Sequence, residues 1–299
     1  MGLAALLKPE YVYQPGQLIR RLRAPSRTDA RPRLVRIPGG AAMLVSPADD
    51  IGTAVLHLGV FDLVVTEALF RLCDPGDAAV DVGANIGYMT GVLGALVGAS
   101  GVVHSFEPHP SLFKELEANV ATFRARASAD FHLHAIALSD DEQVLTFEPF
   151  DAKATNRGTS RVTSPGPGTN SDALRVQARR LDQVLANSSS IGLMKVDVEG
   201  HELAVLAGAT SLLAAHRVRD IVFEEHRPYP TPVTDLLERS GYAVFRLGRK
   251  FRRPVLLRPD SDESRSRWEA TSFLATADPV RATERFSKAG WNCLRRNSR

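Results

Sequence analysis

Cysteine is nearly absent: of 299 residues only Cys73 and Cys293 carry a thiol. Neither has a neighbour at metal-ligand spacing, such as a second Cys two residues away, so a zinc module is unsupported. Two isolated thiols also make no disulfide framework, which fits a reducing compartment. Long apolar runs are missing too. The opening Met1-Gly-Leu-Ala-Ala-Leu-Leu7 stops at Lys8-Pro9, too short for a signal-peptide core with its cleavage site. No segment approaches the roughly 20 apolar residues of a bilayer span. The expected location is therefore cytoplasmic, without a membrane partner. Charge of one sign is also lacking. Lysine is scarce, and 37 basic against 34 acidic residues leave a net charge of +3, a near cancellation that calls for no nucleic-acid partner. Internal repeats and coiled-coil heptads are absent, so the chain is neither a solenoid nor a coiled coil.

What is present is a change of rhythm along the chain. Residues 1–40 are rich in Pro and Arg and lack a sustained period; residues 41–70 mix a short strand at Ala42–Val45 with a helix at Phe61–Leu72. Residues 1–72 read as an N-terminal arm and cap. From Cys73 strands alternate with helices. The strands are Asp77–Val82, Gly101–Phe106, Phe131–Leu138, Ile191–Val198, Asp220–Glu224 and Tyr242–Leu247; the helices are Tyr88–Val97, Pro110–Phe123, Leu203–His216 and Val233–Arg239. Such alternation implies an α/β domain over residues 73–280, with a mainly parallel, doubly wound sheet covered on both faces. The rhythm breaks at about 140–180, where Val144–Phe147, Ser160–Thr163 and Leu174–Ala178 flank the loop Ser164-Pro-Gly-Pro-Gly-Thr169; this reads as an inserted β-hairpin. Val255–Arg258 and Ser272–Thr276 are further strand candidates, and 281–299 reads as a basic tail.

The first strand runs into Asp81-Val-Gly83-Ala84-Asn85-Ile-Gly87, which opens a helix. Gly83 and Gly87 let a ligand approach the main chain and the helix N-terminus, and Asp81 can accept a hydrogen bond from a cationic amino group. The spacing is G-x-x-x-G, not the G-x-G-x-x-G of a dinucleotide site, so a ligand with an amino-acid end fits better than a pyrophosphate. The second strand ends Phe106-Glu107-Pro108, placing a carboxylate where a ribose diol would lie. The third ends Ala137-Leu-Ser139-Asp140, a polar loop able to meet an adenine edge. An amino-acid pocket, a ribose clamp and a base contact at consecutive strand ends together describe S-adenosylmethionine (SAM).

These strings, with Lys195-Val-Asp197-Val-Glu199-Gly-His201-Glu202, Leu206-Ala-Gly-Ala209 and the early Leu58-Gly-Val-Phe-Asp62, resemble the FkbM-type family of SAM-dependent methyltransferases. The resemblance covers about residues 40–225. It implies a seven-stranded Rossmann-like sheet, SAM as methyl donor, and O-methylation of a small-molecule hydroxyl on a polyketide, sugar or other secondary metabolite. Carried over, Asp81, Gly83, Ala84, Asn85 and Gly87 line the methionine part, Glu107 with Pro108 takes the ribose, Ser139 and Asp140 lie near adenine, and Asp197 and Glu199 face the methyl group. His201 falls on a variable position of the family pattern.

An alcohol acceptor must lose its proton near the moment of attack, so a base is needed. Asp197 and Glu199 share one face of an extended strand and form one candidate pair, with Lys195 on the same face able to neutralise one of them. His201 is a second candidate, and the carboxylate–imidazole pair Glu225-His226 at the fifth strand's end is a third. That pair is also the place where a divalent metal would bind, although no metal site is expected. Competing readings are a methyltransferase acting on nucleic acid or protein, an NAD-dependent oxidoreductase, and a non-catalytic SAM-binding protein. Assembly into a homo-oligomer is open.

Overall fold

Turn signals cut the chain into short strands, and the computed structural model assembles most of them into one sheet; it describes residues 8–29, 31–125, 129–147, 162–163, 173–186, 190–263 and 271–295. The strands are β1 (Arg33–Arg36), β2 (Ala42–Val45), β3 (Ala78–Val82), β4 (Val102–Phe106), β5 (Asp130–His134), β6 (Ala137–Leu138), β7 (Gln143–Phe147), β8 (Val162–Thr163), β9 (Leu174–Arg179), β10 (Ile191–Val196), β11 (Val218–Glu225), β12 (Ala243–Lys250), β13 (Arg253–Leu257) and β14 (Thr271–Thr276). The helices are α1 (Pro9–Tyr13), α2 (Pro15–Leu22), α3 (Asp50–Leu58), α4 (Leu63–Leu72), α5 (Tyr88–Val97), α6 (Pro110–Arg124), α7 (Leu181–Val184), α8 (Glu202–Ala207), α9 (Thr210–Ala214), α10 (Pro232–Arg239) and α11 (Pro279–Ser287).

The central sheet has the order β13-β12-β14-β11-β10-β3-β4-β5. β11, β10, β3, β4 and β5 run parallel, while β14 lies antiparallel between β11 and β12. From β3 the chain winds outward through β4 to β5, then returns to β10 on the other side. The order therefore reverses between β3 and β10, the place where open α/β sheets bind ligands at their carboxyl ends. The family resemblance implies seven strands; the eighth is β13, which doubles back antiparallel on β12 and forms the edge of the sheet.

Alternation along each strand sorts the two cores. Ala79, Val103 and Phe131 face Leu69, Val92 and Phe123 of α4, α5 and α6. Val80, Met194 and Phe223 face Val205, Leu213 and Leu237 of α8, α9 and α10. Each wholly buried Leu, Val or Phe contributes about 1.5–3 kcal/mol, so the two faces hold the sheet.

Described segments near both termini join this body. α4, expected within the cap, packs under the sheet with Ala68, Leu69 and Leu72 fully buried. The described part of the segment expected as a basic tail packs onto this body: Trp291 is buried and donates to the Phe251 carbonyl at 3.0 Å, and Arg71 donates to the Gly290 carbonyl at 2.8 Å. The Trp indole and the Arg71–Glu67 pair, hidden among apolar neighbours, explain why a basic composition still packs here. The expected hairpin is β7 against β9, extended by β8 and β6 into a small four-stranded sheet with its own core of Ala137, Leu145, Val176 and Ala178.

Among the described residues no single helix is long and apolar enough to cross a membrane, although the bent pair α3–α4 passes by length and composition. α4 is spent on the core. The two thiols are free and buried.

Candidate active site

The turn after β3 sets the site. Gly83 sits at φ 76°, and a Cβ there would lie 1.9 Å from the Asp197 carbonyl oxygen, so only glycine lets the tips of β3 and β10 cross. Its N–H and that of Ala84 both donate to the Phe106 carbonyl at 3.0 Å, tying the turn to β4. Gly87, at φ 92°, starts α5 where a Cβ would meet Leu116 at 2.7 Å. Between them Asn85 holds φ 51°, a left-handed conformation that Asn tolerates better than most residues. The outcome is a bare backbone bend against a helix N-terminus.

Glu107 closes the bend from the second strand. It is only 5% exposed, and its two oxygens accept the N–H groups of Asn85 and His109, each at 2.8 Å. Burial pushes its carboxyl up to about 7, against the pull of those two N–H donors. Each carboxylate oxygen has a second lone pair, so two more donors fit.

Lys195 binds the other side together. Its ammonium lies 3.2 Å from the Gly83 carbonyl oxygen and from Asp197 Oδ2, and 3.7 Å from Asp81 Oδ1. Burial alone would lower its pKa; the Asp197 and Asp81 carboxylates outweigh that and raise it, so it stays charged. Asp81 is fully buried, accepting from the Thr90 hydroxyl at 2.7 Å, with Oδ1 lacking any hydrogen-bond donor. The amino group that meets Asp81 within the chain itself is that of Lys195. Burial raises the Asp81 pKa.

Asp197 and Glu224 meet where β10 and β11 end, in hydrogen-bond contact. Burial and the neighbouring Asp197 charge drive Glu224 up to about 9, while Lys195 and the bond from Glu224 hold Asp197 below its usual value despite its burial. One proton therefore sits on Glu224 and is offered to Asp197. Glu199 follows at φ 54° and Gly200 at φ 100°, a turn fixed by Glu202, whose Oε1 accepts from the N–H groups of Val198 and Gly200 at 3.2 and 3.1 Å. His201 Nε2 lies 3.0 Å from the Ser139 hydroxyl. That hydroxyl donates its one hydrogen to Asp140, so Nε2 carries the proton and Nδ1 keeps a lone pair. Burial lowers the His201 pKa, leaving the ring neutral near pH 7.

A cavity of about 270 Å³ joins these groups, near the lower end of the ~300–1,000 Å³ usual for small-molecule sites. Gly83, Ala84, Asn85, Glu107, Pro108, Asp197, Glu199 and His201 line it, so most of the expected site residues converge. Others stand behind the wall. Gly87 shapes the turn, and Asp81 holds Lys195. Ser139 is fully buried on His201, and the residues just before it that line the cavity are Ile136, Ala137 and Leu138. Glu225 points away from the cavity into a pair with Arg227 at 3.0 Å, which holds its pKa down against burial; His226 is exposed.

Sequence reasoning missed Glu224. Glu224 and Glu225 are adjacent, and strand alternation sends only one inward. It expected the N-terminal arm to help build the acceptor pocket but named none of the wall residues Asp49, Asp50, Ile51, Phe61 and Asp62. The signal there was the string Leu58-Gly-Val-Phe-Asp62: Asp62, at φ 43°, caps α4 and turns Phe61 toward the site, where its N–H bonds the Tyr88 hydroxyl at 3.1 Å.

The family model of the methyltransferase FkbM domain matches residues 81–244, more than half of the chain. The 31-O-demethyl-FK506 methyltransferase FkbM of Streptomyces tacrolimicus is 34% identical over 179 residues, covering 51% of this chain and 66% of that protein. The hexuronic acid methyltransferase AglP of Haloferax volcanii is 29% identical over 179 residues, covering 59% of this chain and 67% of that protein. The match thus spans about two thirds of the length of either relative. A solved SAM-dependent O-methyltransferase from Thermotoga maritima superposes with a TM-score of 0.41 at 13% identity, over 82% of this chain and 77% of that one. The matched span opens at Asp81, the residue that anchors Lys195, and runs through Glu107, Asp197 and Glu224, and on this footing the chain belongs to the FkbM methyltransferase domain family.

Proposed function

We propose that this chain is a SAM-dependent O-methyltransferase of the cytoplasm that acts on a hydroxyl of a small molecule or sugar-bearing metabolite. The observation that carries this reading is the meeting of three chemistries in one cavity: the bare bend at residues 83–85, the Glu107 carboxylate, and the Asp197–Glu224 pair. The first relative supports a small-molecule acceptor, since it is named for 31-O-demethyl-FK506, and the second, named for a hexuronic acid, supports a sugar only at the level of that class.

The residues present suit SAM. Glu107 retains two lone pairs for a ribose diol, and the main chain of Gly83, Ala84 and Asn85 lies open beside it. Phe106, Ile136, Ala137 and Leu138 offer an apolar slot for a purine. Ser139 and Asp140 then act one layer back, by fixing His201. When bound, the cofactor supplies a methyl group on a sulfonium sulfur, open to in-line displacement.

This chain's own contribution is positioning and proton removal. Asp197, kept ionised by Lys195 and by the Glu224 proton, accepts the hydrogen bond of the incoming hydroxyl and takes its proton as the oxygen attacks. Glu224 can shift its proton within the pair, so the two carboxyls act as a single titrating unit. The neutral His201, with Nδ1 unprotonated, is the second group able to orient a hydroxyl.

The test is incubation with trideuteromethyl-labelled SAM and a panel of polyols, glycosides and macrocyclic alcohols, read by mass spectrometry. The expected result is S-adenosylhomocysteine formed with a labelled ether, and a roughly 10²–10⁴-fold lower rate in Asp197→Asn, the usual worth of a general base. Product on nitrogen or carbon, or an unchanged rate in the variant, contradicts the assignment.

A further inference from the structure

Among the described residues, the acceptor half of the cavity has no available cation. Of the described residues lining it, Lys195 alone carries a permanent positive charge, and that ammonium is consumed by Asp197, Asp81 and the Gly83 carbonyl. His201 is neutral by burial and bound to Ser139. Carboxylates, in contrast, are grouped on this side: Asp49, Asp50 and Asp62 on the N-terminal wall, Asp197, Glu199 and Glu224 on the strand tips. Most have their charge balanced within the protein. Asp50 pairs with Arg27, Asp49 caps α3 and Asp62 caps α4, where a helix N-terminus favours a negative charge. Asp197 is matched by Lys195, and Glu224 keeps its proton. The wall thus offers an incoming anion no unmatched positive charge to pair with.

The spaces between these carboxylates are apolar. Ile51, Phe61 and Val65 come from the N-terminal wall, Val222 and Phe223 from β11. A buried anion without a partner is strongly disfavoured, and specificity is commonly obtained by such unfavourable placements. We infer that the acceptor is an uncharged, hydroxyl-bearing molecule with an apolar face, and that carboxylate- and phosphate-bearing acceptors are rejected by the acidic N-terminal wall. This inference rests on the methyltransferase reading of the same cavity, and it makes Asp62 a specificity-determining residue.

The probes are octyl β-glucoside and octyl β-glucuronide, which share ring and tail and differ in one charge. Calorimetry at pH 8 first measures S-adenosylhomocysteine binding; its absence counts against the underlying methyltransferase reading. The loaded protein is then titrated with each glycoside. The expected result is binding of the glucoside at least about tenfold tighter than the glucuronide, the scale of one like-charge repulsion at partly buried distances. In Asp62→Asn, which keeps both the helix cap and a residue tolerant of φ 43°, the gap narrows severalfold through a gain for the glucuronide. Equal affinities, tighter glucuronide binding, saturable binding of neither glycoside by the loaded protein, or a gap unchanged in Asp62→Asn overturns the inference.

Discussion

Glu107 shows how burial and hydrogen bonding set one residue's chemistry. Two N–H donors favour its carboxylate, but burial wins and lifts the group from 4.5 to about 7. A carboxyl raised in the folded state contributes stability that is complete below the unfolded value and lost as pH rises through the folded one. The ligand-free protein is therefore expected to lose thermal stability between pH 5 and 8, with Glu107→Gln showing a shallower loss over that window. Melting curves at several pH values check this, and an identical slope in the variant contradicts it. Glu107 was legible from the sequence because Pro108 ends the strand at a known place. Glu224 was not, since neither pattern nor spacing says which of two adjacent glutamates turns inward. Ser139 and Asp140 do not line the cavity, Ser139 being buried against His201; in sequence, a two-residue strand, β6, does not reveal which way its ends face.

At the scale of elements, the crossing of the β3 turn over the β10 tip governs the site. Gly83→Ala places a methyl 1.9 Å from the Asp197 carbonyl oxygen at a φ of 76°. Strain and overpacking together are expected to cost about 3 kcal/mol or more, measured as a lower urea midpoint at unchanged slope. A loss below about 1 kcal/mol would mean that the crossing is loose. This turn and the strands and helices around it were readable because strand periodicity and turn residues agree locally. β13 was only a candidate, since its partner β12 lies in an edge hairpin whose register depends on tertiary pairing. α4 read as a cap because an amphipathic helix does not announce which surface it covers; the buried Ala68, Leu69 and Leu72 place it under the sheet.

At the scale of the molecule, the parallel sheet brings distant segments to one edge. Glu107 follows β4, Asp197 follows β10, Glu224 ends β11, and Asp62 enters from the N-terminal wall. The string Leu58-Gly-Val-Phe-Asp62 marks that last segment, but its contact with the site depends on how α3 and α4 wrap the sheet. The central claim is that this edge holds a nucleoside with an amino-acid tail through the Glu107 carboxylate. The measurement that tests it most directly is calorimetric titration of wild type and Glu107→Ala with SAM. Saturable one-to-one binding to the wild type, weakened by about 2 kcal/mol or more in the variant as two charge-assisted hydrogen bonds are lost, is the expected result; binding of equal strength in both proteins, or none to the wild type, would contradict the account.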